Sequence, residues 1–164
     1  MMLAAFRRFL SPLLDTRPPE DLVWITTELA QSEQFAPRQA AALRRLAIGS
    51  VLDLRTEQGQ RLAPLAKAGL HYLHLPIADG ATPTEEELAR AADWVRQELG
   101  DDRKVLVHCR LDTGHTATVV AAVLLRTGYP PAEAAALIRR NDPDAILGDT
   151  QLAILQRYAD SLRP

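Results

Sequence analysis

The sequence has little or none of several features that define large classes of protein. Only one cysteine, Cys109, occurs among the 164 residues, so no internal disulfide can form, and a lone thiol fits a reducing compartment such as the cytoplasm. No uncharged apolar run reaches the roughly 18–20 residues that a transmembrane helix needs. The sequence also lacks a Walker loop, a dinucleotide-binding fingerprint and a zinc-ligand spacing, so we expect neither a cofactor nor a metal.

The chain also has no large net charge of either sign. The formal net charge is −2, so the chain as a whole offers no general attraction for nucleic acid or for an anionic membrane. Hydrophobic residues make up 47% of the chain and charged residues 24%, which is ordinary for a globular protein. A chain of this length and composition is expected to form about one domain.

The first 21 residues are expected to form an N-terminal arm or a short helix, followed by a single domain over residues 22–164. The segment MMLAAFRRFLSPLL is basic, and Arg7 and Arg8 interrupt the apolar run that a secretory signal would need. A transit peptide or a membrane-surface helix is the alternative for this segment. Pro18 and Pro19 would end any helix before the domain begins.

Strand-like and helix-like segments alternate through the rest of the chain. Short apolar runs predict strands at 22–26, 51–54, 71–75 and 104–108, the last being apolar enough to be buried on both faces. Helical spacing predicts helices at 37–47, 58–68, 84–99, 116–126, 131–140 and 150–161. Gly49 is expected to cap the first helix, and Thr84 with Glu87 to form a capping box. This alternation predicts an α/β sheet covered on both faces.

The segment HCRLDTGHT, residues 108–116, joins the most apolar strand to the most apolar helix. Ligands of open α/β sheets bind beyond the carboxyl ends of the strands. A loop at a helix N-terminus presents backbone N–H groups and the positive end of the helix dipole, which together favour an anion. The same field would lower the pKa of Cys109 and favour its nucleophilic thiolate.

The segment VLVHCRLDTGHTATVVAAVLL resembles the active-site loop of cysteine-dependent phosphatases, particularly the dual-specificity group. Their pattern is His-Cys-x-x-Gly-x-x-Arg-Ser/Thr between a strand and a helix. The segments LVWITTELAQ, IGSVLDLRTE, LHYLHLPIADGATPTEEEL and IRRNDPDAILGDTQLAILQRY are similar to other parts of the same family, so the resemblance covers roughly residues 22–160. It implies a three-layer α/β sandwich with a mostly parallel central sheet flanked by helices.

The resemblance also implies roles for individual residues. Cys109 matches the nucleophile that attacks phosphorus, and Asp79 in PIADG matches the general acid that protonates the leaving oxygen. Thr116 matches the hydroxyl that hydrogen-bonds the sulfur, and His108 matches the histidine that orients the loop. The residues whose backbone N–H groups would cradle the phosphate are Arg110, Leu111, Asp112, Thr113, Gly114 and His115.

The resemblance fails at the residues that would bind the phosphoryl group. His115 occupies the position of the family arginine, Asp112 that of the central loop glycine, and Leu111 that of a small residue. Losing an electrostatic donor of this kind typically lowers a rate by about 10²–10³. Two compensations are open: a positive charge from Arg110, or a Cys–His ion pair in which Asp112 orients a protonated His115.

Three functions therefore remain open from the sequence. The first is an impaired phosphatase-like protein that binds phosphate, sulfate or a phosphorylated protein. The second is an active phosphomonoester hydrolase that uses Cys109 and Asp79, with a phosphorylated protein or a small phosphomonoester as substrate. The third is rhodanese-like sulfur transfer, since rhodaneses also place a Cys-Arg pair between a strand and a helix. Cytoplasmic localisation is expected for each of them.

Overall fold

Five strands form the central sheet in a computed structural model that describes residues 17–56, 62–110 and 114–163. They are β1 (Val23–Trp24), β2 (Leu29–Ser32), β3 (Ile48–Asp53), β4 (His71–His74) and β5 (Lys104–His108). Their order across the sheet is β1-β2-β5-β3-β4. β1 pairs with β2 in an antiparallel manner, and the other three pairings are parallel. The carboxyl end of β5 is therefore flanked by the carboxyl ends of β2 and β3.

Within the described residues, six α-helices cover the two faces of this sheet. They are α1 (Ala40–Arg45), α2 (Leu62–Lys67), α3 (Glu85–Gly100), α4 (His115–Arg126), α5 (Pro131–Asn141) and α6 (Asp149–Ser161). Leu106 of β5 packs in a cluster with side chains of α1 and α2, whereas Val105 and Val107 pack in a cluster with side chains of α3 to α6. Because both faces of β5 are buried, its near-continuous apolar sequence is explained. The predicted three-layer sandwich with a mostly parallel sheet is confirmed.

α4 is the helix that the sheet and the other helices enclose. Its residues from His115 to Leu125 are all buried. It contacts α3, α5 and α6 as well as β2 and β5, so no side of it is left for water. An apolar helix of this kind is expected where a helix packs on several neighbours at once. In the described part of the chain, no helix is both long and apolar enough to cross a membrane.

α3 begins with the predicted capping box. The Thr84 hydroxyl accepts a hydrogen bond from the Glu87 N–H at 3.2 Å, and the Glu87 carboxylate accepts one from the Thr84 N–H at 2.7 Å. Two N–H groups that the helix itself leaves unpaired are thereby satisfied. The predicted start of this helix is confirmed.

The strand predicted at 22–26 is present but shorter, as β1 at Val23–Trp24, and the strand that follows it, β2 at Leu29–Ser32, was not predicted. The Thr26 hydroxyl accepts hydrogen bonds from the N–H groups of Glu28 and Leu29, which closes a tight turn after β1. The chain then returns as β2, all of whose four residues are buried. This strand has no alternation of polar and apolar residues, which explains why the sequence pattern missed it.

The predicted role of Gly49 as a helix cap is also wrong. The 37–47 helix divides into a short 3₁₀ turn at Pro37–Gln39 and α1, and Ala47 takes the left-handed conformation after α1, with φ of 62°. Gly49 lies inside β3, where an added Cβ would stand 3.0 Å from the Arg103 Cγ. Close packing by Arg103 therefore explains this glycine.

Some predictions fall on residues outside the described ranges. These are most of the N-terminal arm (1–16), the first part of the helix at 58–68 and the loop residues Leu111, Asp112 and Thr113. The division into an arm at 1–21 and a domain at 22–164 stays a prediction. Helix α4 starts one residue earlier than predicted, at His115, and α6 likewise at Asp149.

Candidate active site

Cys109 lies directly after β5, at the carboxyl edge of the sheet. The preceding residue, His108, pairs with Ser32 on β2 and with Asp53 on β3, and its carbonyl accepts a hydrogen bond from the Leu54 N–H at 2.9 Å. The strand end is therefore held on both sides. Cys109 itself is 3% exposed, so its thiol lies at the bottom of the site rather than on the surface.

Gly114 is the residue from which α4 starts, and its conformation requires glycine. Its φ is +81°, in the left-handed region that residues with a side chain rarely adopt. An added Cβ would also stand 2.9 Å from the carbonyl oxygen of Ile146. The Gly114 carbonyl accepts hydrogen bonds from both the N–H and the hydroxyl of Thr118, at 3.0 and 2.6 Å. The glycine thus brings the N-terminus of α4 close to the loop before α6.

His115, at the position of the family arginine, contacts the loop that contains Asp79. Its Nε2 lies 2.6 Å from the carbonyl oxygen of Ala81. Because a carbonyl can only accept, Nε2 carries a proton and donates it to this bond. The side chain is 3% exposed and so has a fixed environment. The sequence left open an ion pair between Cys109 and a protonated His115. Because Nε2 is bonded to Ala81, such a pair would have to use Nδ1.

Thr116 lies in the first turn of α4 and lines the same cleft as Cys109. Its side chain is 5% exposed, and its Oγ1 has no hydrogen-bond partner within the described ranges. A buried hydroxyl without a partner is costly for folding and often marks a functional group. This position beside Cys109 is compatible with the role that the resemblance implied.

Asp79 and Arg110 approach each other across the mouth of the site. The Arg110 Nη1 lies 3.9 Å from the Asp79 Oδ2, and both side chains are at least half exposed. The loop that carries Asp79 is fixed to the residue that follows β3 by a hydrogen bond of 3.0 Å from the Ile77 N–H to the Leu54 carbonyl. The predicted acid is thus brought to the residue that follows the predicted nucleophile.

A buried carboxylate next to the cysteine strand was missed by the sequence reasoning. Asp53, fully buried at the end of β3, accepts hydrogen bonds from the Arg55 guanidinium at 2.9 and 2.6 Å and from the Tyr72 hydroxyl at 2.6 Å. The His108 Nε2 lies 3.6 Å from the Asp53 Oδ1, and the His74 Nε2 donates to the Arg55 carbonyl at 2.6 Å. A charged residue inside the apolar run VLDL was the signal that could have revealed it.

The charges of this group follow from its burial. Burial alone would raise the pKa of Asp53, but the hydrogen bond from Arg55, the nearby His108 and the hydrogen bond from Tyr72 together hold that pKa below its usual value. Burial lowers the pKa of His108 to about 4, against the opposing attraction of Asp53. His108 is therefore neutral near pH 7. The strand end before Cys109 is held by an Asp–Arg ion pair and an uncharged imidazole.

The chain is similar to known protein tyrosine phosphatases. A family model described as "Polymorphic toxin system, DSP-PTPase phosphatase" matches residues 27–129, which is more than half of the chain. Mouse protein tyrosine phosphatase type IVA 2 is 32% identical over 108 residues, covering 62% of this chain and 61% of the relative. The cdc-14 tyrosine-protein phosphatase of Caenorhabditis elegans is 27% identical over 92 residues, covering 56% of this chain and 13% of the relative. The chain thus spans about three fifths of the first relative and a small part of the second.

Solved structures of phosphatases share the fold. The crystal structure of Tk-PTP in the active form superposes with a TM-score of 0.78 and 27% sequence identity, over 87% of this chain and 99% of that chain. The kinase associated phosphatase has a TM-score of 0.75 at 21% identity, over 88% and 96% of the two chains, which shows likeness of fold. With a family model covering more than half of its length and this fold around Cys109, the chain belongs to the dual-specificity group of the cysteine-dependent protein tyrosine phosphatase family.

Proposed function

We propose that this chain binds phosphorylated groups in the loop after Cys109 and hydrolyses them slowly or not at all. One observation carries the proposal: the side chain at the arginine position, His115, is buried and donates its Nε2 proton to the Ala81 carbonyl at 2.6 Å. In the family, an arginine at this position clamps two phosphoryl oxygens with parallel hydrogen bonds. A histidine whose Nε2 donates to another loop cannot make that bidentate contact.

The chemistry that remains would follow the family mechanism. The Cys109 thiolate would attack phosphorus, the bond to the leaving oxygen would break, and the Asp79 carboxyl would give that oxygen a proton. Water would then attack the thiophosphate, with Asp79 accepting its proton and the Thr116 hydroxyl stabilising the departing sulfur. The buried position of Cys109 and Thr116 on one cleft supports this assignment.

The missing element is stabilisation of negative charge in the transition state. In phosphoryl transfer this charge spreads over the equatorial oxygens, and fixed cationic donors supply most of the catalysis. The backbone N–H groups at the start of α4 can still bind an anion, because they do not depend on the side chain at position 115. Binding is therefore expected to survive while turnover falls by about 10²–10³.

A second candidate, active hydrolysis of phosphomonoesters, has one observation in its favour. The Arg110 guanidinium stands at the mouth of the site, 3.9 Å from Asp79, so a positive charge is present near the reacting groups. Sulfur transfer, by contrast, was suggested only by a cysteine and arginine after a strand, and membership of the phosphatase family accounts for the same pair. A thiolate nucleophile requires a reducing environment, which favours the cytoplasm.

The test combines binding and turnover in the same preparation. Calorimetric titration with inorganic phosphate is expected to show weak binding, while hydrolysis of p-nitrophenyl phosphate by the wild type stays close to that of Cys109→Ser. Cys109→Ser is the matched control because it removes the nucleophile and keeps the size of the side chain. No phosphate binding at concentrations up to about tens of millimolar, a range suited to weak anion sites, would contradict a preserved cradle.

A further inference from the structure

The loop that carries Asp79 is held to the rest of the molecule at two points. At its start, the Ile77 N–H donates to the Leu54 carbonyl at 3.0 Å, directly after β3. At its end, the Ala81 carbonyl accepts the hydrogen bond of 2.6 Å from the Nε2 of His115 on α4. Within the described residues, His115 is the only side chain that hydrogen-bonds to the stretch between Ile77 and Ala81. The position of the loop therefore depends on one side chain of a different element.

Asp79 and Ala81 belong to one tight turn. The Ala81 N–H donates to the Ala78 carbonyl at 2.9 Å, so Asp79 and Gly80 are the two central residues of a four-residue turn. Gly80 has a φ of +74°, the left-handed conformation that glycine adopts readily and that the third residue of several turn types requires. Because the turn is closed by its own hydrogen bond, a displacement of the Ala81 carbonyl would also move Asp79.

His115 is a rigid anchor for this turn. It is the first residue of α4, and its side chain is buried. α4 contacts three other helices and two strands, so it cannot shift without disturbing the packed core. The four residues of the turn, by contrast, are all exposed. An exposed turn has few other contacts to fix it, so the hydrogen bond from a buried side chain determines where it lies.

We propose that His115 is a positioning residue for Asp79, which it holds at the mouth of the site by fastening the turn at 78–81 to the N-terminus of α4. The proposal rests on the proposed function, because the role of Asp79 as the acid belongs to that function. In this position the Asp79 Oδ2 lies 3.9 Å from the Nη1 of Arg110, the residue that follows Cys109. The side chain at position 115 thus serves the loop of the acid instead of the phosphoryl group.

The test compares two substitutions of similar size that differ in the donor. His115→Gln keeps an N–H group near the position of Nε2, whereas His115→Met fills similar space without a donor. Hydrogen exchange is followed by NMR at the Ala81 N–H, the group that closes the turn. We expect this exchange to be roughly five- to tenfold faster in His115→Met than in the wild type, which is the effect of one lost hydrogen bond. In His115→Gln the rate should stay close to that of the wild type.

A second amide reports on the fold in the same spectra. The Thr118 N–H donates to the Gly114 carbonyl at the start of α4, and its exchange rate should be equal in the wild type and both variants. An unchanged rate at Ala81 in His115→Met overturns the proposal, and so does a rise in His115→Gln as large as that in His115→Met. An equal rise at Thr118 and Ala81 also overturns it, because the histidine would then serve only general stability.

A measurement on the unaltered protein keeps the proposal testable if a variant does not fold. The Nε2 proton that His115 donates to Ala81 should be protected from water and give its own NMR signal near pH 7. A nuclear Overhauser effect to the protons of Ala81 would identify it. Absence of this signal, or a proton on Nδ1 instead of Nε2, overturns the proposal.

The placement of Asp79 itself is tested by the affinity for inorganic phosphate. A carboxylate held at the mouth of the site repels phosphate, so Asp79→Asn should strengthen phosphate binding by about threefold in the wild type and in His115→Gln. The gain should be smaller in His115→Met, because the two positions are coupled through the turn. An equal gain in all three proteins, or no gain in a wild type that binds phosphate, overturns the proposal. If none of these proteins binds phosphate, the proposed function fails, while amide exchange at Ala81 still decides the role of His115.

Discussion

At the scale of single residues, the site depends on an uncharged histidine beside a charged carboxylate. His108 is buried against Phe35, with ring centroids 4.8 Å apart, and its Nε2 lies 3.6 Å from Asp53. The Arg55 guanidinium already balances the carboxylate, so a proton on His108 would add a buried positive charge. The residue before Cys109 is therefore held in place by packing and by its neutrality.

This arrangement predicts that the stability of the protein falls in mild acid. The pKa of His108 is lowered by burial to about 4 from an ordinary value of 6.5, so the unfolded chain binds the proton first as pH falls. The contribution of the neutral, buried His108 to stability is present above pH 6.5, and it is lost as the pH falls towards 4. Between pH 7 and pH 5, the free energy of unfolding should decrease by about 2 kcal/mol through this residue.

Urea unfolding at several pH values tests this prediction. His108→Gln is expected to lower stability at pH 7 and to flatten its dependence on pH between 7 and 5. His71→Gln is the matched control for loss of an imidazole, because the His71 side chain is 54% exposed. An unchanged pH dependence in His108→Gln would contradict a neutral buried His108.

At the scale of elements, the start of α4 and the loop before α6 are joined through one glycine. Gly114 combines a left-handed conformation with a contact that leaves no room for a Cβ beside the Ile146 carbonyl. The N–H groups of α4 that are proposed to bind phosphate therefore depend on an element more than thirty residues away. The sequence indicated a glycine-containing turn into a helix at this point, but it could not show that Ile146 packs against it.

Gly114→Ala is expected to lower stability more than Gly69→Ala. Both glycines have positive φ, +81° and +71°, so each alanine carries a conformational cost of roughly 1–2 kcal/mol. Around Gly69 nothing described lies within 4 Å of an added Cβ, whereas at Gly114 the Ile146 carbonyl would be 2.9 Å away. Thermal unfolding should show the larger loss for Gly114→Ala, and phosphate titration should show weaker binding for that variant alone. Equal losses of stability in the two variants would contradict a tight contact between Gly114 and the Ile146 carbonyl.

Some of the strands and helices could be predicted from the sequence, and others could not. β5 and α3 were predictable because one is a continuous apolar run and the other has both capping residues. β2 could not be predicted, because two of its four buried residues, Gln31 and Ser32, are polar. Polar residues in so short a segment do not indicate a buried strand. Within the site, the position of Cys109 between a strand and a helix was predictable. The partner of His115 was not, because the Ala81 carbonyl is a backbone group that any sequence would offer.

At the scale of the whole molecule, a chain with almost no net charge carries a local separation of charge. The N-terminus of α4 favours anions, and the neighbouring cleft carries four carboxylates. Composition gives only the sum, −2, so it could exclude general binding to polyanions but could not reveal an acidic cleft. The fold creates this pattern by bringing the end of β2 and the segment before α6 together beside Cys109.

The phosphatase fold is thus present, with Cys109, Asp79 and Thr116 at the positions proposed for its catalytic groups, and the central claim is that one missing cation limits catalysis. His115→Arg combined with Asp112→Gly restores the family residues at both positions. Arginine supplies two parallel donors to the phosphoryl oxygens, and one such donor is typically worth about 2.7–4 kcal/mol in the transition state. Asp79→Asn in the restored protein should then lower the rate again, mostly for poor leaving groups.

The most direct measurement is the rate of p-nitrophenyl phosphate hydrolysis by the wild type, by the His115→Arg, Asp112→Gly double variant and by Cys109→Ser. We expect a wild type close to Cys109→Ser and a double variant faster by at least about 10²-fold. A wild type that turns over the substrate at about 1 s⁻¹, near the low end of ordinary kcat values, with Cys109→Ser inactive, would contradict the claim.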